Sequence, residues 1–176
     1  KPTFVQTFAA LDNKPTSEHP AGITTFLRKA PLAIGAVQPF TVWVVCTRNA
    51  LGAFDAPIGA TTNRWFVRFN NTSTTIDIHA GIGTASGAFA STTGVRYGII
   101  AVFNGGSSKI RVNGASVFAG ATNIGANPLT DFTLGDETGG LGPFHGNVAE
   151  CGAGAGDLTA DVAALAQLEA WIEAQY

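Results

Sequence analysis

Residues 96–118 read RYGIIAVFNGGSSKIRVNGASVF, and this stretch limits the possible folds more than any other. Two turn signals, Asn104-Gly105-Gly106 and Asn113-Gly114, separate three strand-like runs. Asn and Gly reach positive φ at low cost, which suits the tight turns that join antiparallel strands. Between the turns, Lys109-Ile110-Arg111-Val112 alternates charged and apolar, the period of a strand with one buried face. The stretch predicts a β-meander, with Ile110 and Val112 facing the core.

Similar runs recur at short intervals along the chain. FTVWVVCT, residues 40–47, is dense in β-branched and aromatic residues and predicts a buried central strand. RWFVRF alternates Trp65, Val67 and Phe69 with Arg64, Phe66 and Arg68. NNTST then turns the chain, and TIDIH alternates Ile76 and Ile78 with Asp77 and His79. FTLG and GNVAEC, beginning at Phe132 and Gly146, add two short strands, and the first thirty residues read as extended pieces broken by Pro and Asn. LGAFDAPIGATTN, residues 51–63, reads as a loop, and AGIGTASGAFASTTG, residues 80–94, as a small flexible segment. There is no βαβ spacing and no repeat of fixed period. The pattern therefore predicts an all-β protein, a sandwich or barrel of antiparallel strands. One amphipathic helix is predicted over about 159–175, with Thr159 as N-cap and Asp161 in the first turn. Its apolar face would hold Val162, Leu165, Leu168, Ile172 and Tyr176.

Composition narrows the function classes. The 176 residues suit one domain, expected to span 1–176. Only 12% of residues are charged and the formal net charge is −2, so the basic surplus of a nucleic-acid-binding protein is missing. No run of eighteen apolar residues suggests a membrane-spanning helix. Gly, Ala, Thr, Ser and Asn dominate, predicting a small, neutral, polar surface of the kind common in secreted and virus-particle proteins. Methionine is absent and no signal peptide is visible at Lys1, so the chain is expected to be a processed product or a piece of a longer protein. The two cysteines, Cys46 and Cys151, each end an apolar run, and their spacing is not that of metal ligands. Two buried thiols fit, and so does one disulfide joining the two strands.

The order of the pieces carries a resemblance. Val112-Asn113-Gly114 ends one strand, and Leu134-Gly135 ends the next. Phe144, Gly146, Val148 and Glu150 then space out a third, and Leu158-Thr159 opens a helix ending at Tyr176. This set resembles the concanavalin A-like, laminin-G-like jelly-roll family of bacterial and phage proteins, over about the last two thirds of the chain. The resemblance implies two curved antiparallel sheets with one C-terminal helix. It does not imply one function, because the fold hosts lectins, glycan-binding modules, glycosidases, adhesion domains and virion proteins.

Glycosidases of this fold resemble one another in a Glu-x-Asp-x-x-Glu strand, which supplies a nucleophile and an acid from one face. The nearest stretch here, TTIDIHAG, has Asp77 and no flanking Glu. Glu150 sits at a motif position of the family, where a structural role is expected. His19, His79 and His145 show no metal-ligand spacing. Many laminin-G-like domains carry calcium, and the candidates here are Asp131, Asp136 and Glu137; the favoured reading is a solvated loop whose carboxylates keep the strand ends soluble. Otherwise no cofactor is expected. Asn70 and Asn71 both open Asn-x-Ser/Thr sequons.

Alternation supplies a binding hypothesis. If the apolar positions face inward, Arg64, Phe66, Arg68, Asp77, His79, Lys109 and Arg111 face outward. Planar donors, an acceptor and aromatic rings suit sugars or anionic glycans. The plainer alternative is an Arg68–Asp77 cross-strand pair on a solvated face. Three functions then stand in order. The first is a non-enzymatic virion module, a phage capsid decoration, head spike or tail-fibre domain with a possible glycan-binding or adhesion role. The second is a carbohydrate-binding module of a secreted bacterial enzyme or adhesin. The third is a divergent glycoside hydrolase. The expected partners are other virion or cell-surface proteins, further copies of the chain and polysaccharide, at a virion surface or outside a cell.

Overall fold

The structure is a computed structural model. It describes residues 3–5, 16–19, 27–29, 36–51, 54–135 and 143–175, with backbone alone for the first three segments and for residue 175. In chain order the strands are β1 (Thr3–Val5), β2 (Thr16–His19), β3 (Leu27–Lys29), β4 (Phe40–Arg48), β5 (Asp55–Gly59), β6 (Phe66–Phe69) and β7 (Thr75–His79). They continue with β8 (Thr84–Ala88), β9 (Arg96–Phe103), β10 (Lys109–Val112), β11 (Ala115–Ala119), β12 (Phe132–Leu134) and β13 (Gly146–Ala155), and helix α1 (Val162–Gln175) follows. All pairings between these strands are antiparallel. One sheet has the order β1-β2-β13-β4-β9-β10-β11 and the other β3-β12-β5-β6-β7-β8. The all-β, two-sheet sandwich with one C-terminal helix is as the sequence predicts.

The meander forms as β9, β10 and β11. Asn113 and Gly114 take φ of 47° and 77°, the left-handed conformation that their tight turn requires. The Asn113 side chain also fixes the register. Its Oδ1 accepts from the Gly98 amide at 2.8 Å, while its own amide donates to the Gly98 carbonyl at 2.8 Å.

The main core lies between the sheets. Trp65, Val67, Phe69, Ile76, Ile78, Ile110 and Val112 all belong to it, as their alternation predicts. At its centre Phe40 stacks on Phe103 at 4.7 Å, and Trp65 meets both rings edge-on. Each such buried side chain contributes about 1.5–3 kcal/mol from area alone.

A second, smaller core lies on the outer face of the seven-stranded sheet, where Leu165 and Ile172 of α1 pack on Val45 and Ile100. Gly98 makes this close approach possible: a Cβ there would stand 2.7 Å from Ile172 Cγ2.

Two segments differ from their sequence reading. Residues 51–63 contain β5, whose side chains are all buried. Pro57 is accommodated because the β5–β6 register shifts between Asp55 and Ile58, a bulge that spares the proline a ladder bond. Residues 80–94 contain the edge strand β8, where Thr84, Ser86 and Ala88 face solvent and Ala85 and Gly87 face inward. Its residues are too small to show an apolar alternation.

The helix begins later than predicted. Thr159 lies in a 3-10 turn over Leu158–Ala160. Asp161 is the cap, its Oδ1 accepting from the Ala164 amide at 3.0 Å. Val162 is 75% exposed, because its position lies about a quarter turn from the Leu165–Leu168–Ile172 stripe. Tyr176 lies outside the described residues.

Candidate functional site

The predicted polar face is built on β6 and β7. Their register sets Phe66 opposite His79 and Arg68 opposite Asp77. All four project from the outer side of the six-stranded sheet, since Val67, Phe69, Ile76 and Ile78 take the inner side. The Phe66 and His79 rings stack at 5.0 Å and 6°. The Arg68 guanidinium lies between two aromatic rings, 4.4 Å from the centroid of Phe66 and 4.2 Å from that of Phe54. Arg64 covers Phe66 from 5.1 Å. Beneath them Asp77 accepts from Arg68 Nε at 3.4 Å, from Asn70 Nδ2 at 3.2 Å and from Thr75 Oγ1 at 3.2 Å. The cross-strand Arg68–Asp77 pair is therefore present.

Outward projection does not make these residues exposed. Phe66 and Asp77 are each 1% exposed and His79 is 9% exposed. Flat groups lying along a sheet cover one another, and here the guanidiniums roof the rings. What reaches solvent is the rim: Phe54 at 38% and the partly exposed Arg64, Arg68 and Asn70. Asn70 Oδ1 also accepts from the Thr72 amide, which organises the β6–β7 turn, whereas Asn71 is exposed.

Lys109 and Arg111 do not join this face. They lie on β10, in the other sheet, and project from the opposite side of the sandwich. Lys109 Nζ donates to Asp157 Oδ2 at 3.0 Å and to Thr159 Oγ1 at 2.6 Å. Arg111 Nε donates to Glu169 Oε1 at 2.6 Å. Both bind the helix segment to the sheet. Burial would raise the Asp157 carboxyl, but the hydrogen bonds from Thr159 and Lys109 and the Lys109 charge outweigh it. They hold this carboxyl below its ordinary value.

The other candidates separate as well. Asp131 is 1% exposed, and its Oδ2 accepts from the Thr61 amide and hydroxyl and from the Thr62 amide at 3.0–3.2 Å. It ties down the loop before β6. Asp136 and Glu137 lie outside the described residues. Among the described residues no group of three or more His, Cys, Asp or Glu side chains could hold a metal ion. Cys46 and Cys151 are free thiols rather than a disulfide. In the β4–β13 ladder Cys46 pairs with Val148 and Cys151 with Val44, so the cysteines are diagonal neighbours. Cα atoms so placed stand roughly 7–8 Å apart, beyond the reach of a bridge. Burial pushes both thiols up, that of Cys151 to about 12.

Glu150 pairs with Val45 on the helix-covered face, whereas Asp77 lies on the outer face of the other sheet. Glycosidase carboxylates stand about 5–9.5 Å apart across one bond. Two that project from opposite sides of a sandwich cannot flank one bond.

A buried ionic network was not legible in the sequence. Arg48 at the end of β4 and Asp55 at the start of β5 both have fully buried side chains. Asp55 Oδ2 accepts from Arg48 Nε at 3.0 Å and also from Nη2. Arg48 Nη1 donates to Ser91 Oγ at 2.6 Å and Ser73 Oγ at 3.2 Å, and the guanidinium lies 4.8 Å over Phe69. Asp55 Oδ1 pairs with His145 Nδ1 at 2.6 Å. The network clamps one end of the sandwich; its signal, a charge ending an apolar strand, is too common to single out.

Comparison with known proteins bears on the fold. No protein-family model matches the chain, and no curated protein sequence does. Solved structures do match. One is domain 4 of AbnA, a GH43 extracellular arabinanase from Geobacillus stearothermophilus, in complex with arabinotriose: TM-score 0.63 at 14% identity, over 87% of this chain and 74% of that one. Another is the full-length tailspike protein 2 of an Escherichia coli O157:H7 bacteriophage: TM-score 0.68 at 16% identity, over 93% of this chain. A third is Trypanosoma rangeli sialidase: TM-score 0.57 at 11% identity, over 80% of this chain. The chain spans only 26% of the tailspike and 25% of the sialidase. The likeness is one of fold, a β-sandwich found within larger proteins that act on or hold carbohydrate or belong to a phage surface.

Proposed function

We propose that this chain is a non-enzymatic surface module that binds glycan through the rim of its six-stranded sheet, as part of a phage virion protein such as a decoration, spike or tail-fibre domain. The observation that carries the reading is the Arg68 guanidinium held over both Phe66 and the exposed Phe54. Asp77 anchors it by accepting from Arg68 Nε, and Asn70 and Thr75 in turn donate to the Asp77 carboxylate. A ring edge and an oriented guanidinium offer a sugar both a C–H surface and directional donors. The arabinotriose-bound arabinanase domain and the phage tailspike, each built on this fold, support the same reading. The separation of Asp77 from Glu150 argues against the hydrolase alternative.

The test is affinity electrophoresis of the chain in gels holding arabinan, a bacterial surface polysaccharide or neutral dextran. Arg68→Ala and Phe54→Ala should each weaken retardation by about tenfold, the size of one lost charged hydrogen bond or cation–π contact. Equal retardation of both variants and the parent would overturn the assignment of this face. Light scattering separates the virion module from the second reading, a carbohydrate-binding module of a secreted enzyme or adhesin. The first predicts symmetric multimers and the second monomers.

A further inference from the structure

On the other side of the sandwich, α1 does not close completely against the sheet. A pocket of about 240 Å³ remains between its C-terminal half and β9 and β10. Pockets for drug-sized ligands run to about 300–1,000 Å³, so this one has room for a single sugar ring. Its floor is aliphatic, from Ile100 and Ile172, around the bare backbone of Gly98. Arg111 is already taken up on one side by Glu169 and by the Gly114 carbonyl.

Two charged groups in the lining remain available. Arg96 projects from β9 on the same side as Gly98, and Glu173 lies one turn beyond Glu169 on the helix. Neither side chain makes a hydrogen bond or ion pair with another described residue. One wall therefore supplies planar donors and the facing wall an acceptor, while the exposed Asn113 turn forms a rim. A free anion would meet Glu173 and a free cation would meet Arg96. A vicinal pair of hydroxyls satisfies both, because a hydroxyl accepts as well as donates. The aliphatic floor suits the C–H face of the ring.

We propose that this helix–sheet pocket is a second saccharide site, taking one neutral sugar unit with vicinal hydroxyls bridged between Arg96 and Glu173. The proposal rests on the glycan-binding reading above but uses different residues, so the two can fail separately. With sites on opposite faces, one copy would engage two glycan branches, and the module would gain avidity without any oligomer.

The experiment is an amide NMR titration of the full chain with neutral methyl glycosides of glucose, galactose and arabinose, and with methyl glucuronide. Saturable shifts of the Gly98, Asn113 and Gly114 amides by a neutral glycoside are expected. Arg96→Ala and Glu173→Gln should each weaken that binding by about tenfold, the loss of one charged hydrogen bond, and Arg68→Ala should leave it unchanged. Both substituted positions reach solvent, so the variants keep the fold, and unchanged amide spectra elsewhere confirm it. Shifts confined to residues 64–79 would overturn this proposal and leave the rim site standing. Shifts confined to the pocket would overturn the rim assignment instead. Binding of the glucuronide alone, tightened by Glu173→Gln, would also overturn the proposal, because it would mark an anion site.

Discussion

Asp55→Asn removes one negative charge and changes almost nothing else in shape. Arg48 would remain fully buried with its guanidinium still bonded to Ser91 and Ser73 and still over Phe69. The amide oxygen of the new Asn can accept one of the two bonds that Asp55 Oδ2 now takes. What is lost is the compensation of a buried cation. Breaking a buried pair from one side costs about 3–5 kcal/mol, because the remaining charge cannot be solvated. At roughly 2–4 °C per kcal/mol for a chain of this size, the melting temperature should fall by about 6–20 °C. Urea unfolding followed by the fluorescence of the chain's three tryptophans, Trp65 among them fully buried, reads the loss of free energy directly. The decisive comparison is Arg48→Met/Asp55→Leu, which removes both charges together while Ser91 Oγ can still donate to the Ser73 carbonyl. Replacing a whole buried pair by apolar groups is commonly close to neutral, so the double variant should be more stable than Asp55→Asn. If the single change costs less than about 1 kcal/mol, or the double change costs as much as the single, the charge-burial argument is refuted.

Two further outcomes follow from the helix-covered face and the cysteines. The Asp157 carboxyl is held below its ordinary value, so its contribution to stability is present above about pH 4 and is lost as pH falls through the depressed value. The difference in urea midpoint between parent and Asp157→Asn should be constant near neutrality and shrink in acid; a difference that grows in acid would reverse the assignment. Burial raises both thiols, so neither Cys46 nor Cys151 should react quickly with a thiol reagent near neutral pH, yet both should titrate without reductant once urea unfolds the chain. Absence of free thiols in that unfolded sample would restore the disulfide.

Local pattern made the fold legible where side chains are large. Trp65 to Phe69 and Ile76 to Ile78 write their inward face in a period of two, and the Asn113-Gly114 turn writes its own conformation. β8 could not be read, because Ala85 and Gly87 bury too little to stand out from Thr84 and Ser86. β5 was concealed by Pro57, which a bulge makes harmless. The site was half legible for a different reason. Alternation assigns a residue to one side of its own strand but does not say which sheet that strand joins. Arg68 and Arg111 share a pattern and lie on opposite outer faces. Nor does alternation report crowding, and so Phe66 and Asp77 point outward while remaining covered. The Arg96–Glu173 pocket joins a strand and a helix more than seventy residues apart, which no local pattern encodes.

The position of β13 has a consequence for the order of assembly. This strand, the last in the chain, is hydrogen-bonded between β2 and β4 near the middle of the seven-stranded sheet. Without it β1 and β2 have no route into the sheet, and β4 presents an open edge rich in Val. The meander and the β6–β7 hairpin can form from neighbours in sequence, but the sandwich closes only when β13 reaches across about a hundred residues. Such long-range pairing is slow. Until it happens, the nascent protein exposes a sticky edge that other copies can occupy. The last strand is thus the bolt of the structure, and truncations that keep the strands up to β12 but remove β13 and all that follows should yield aggregate rather than a smaller folded domain.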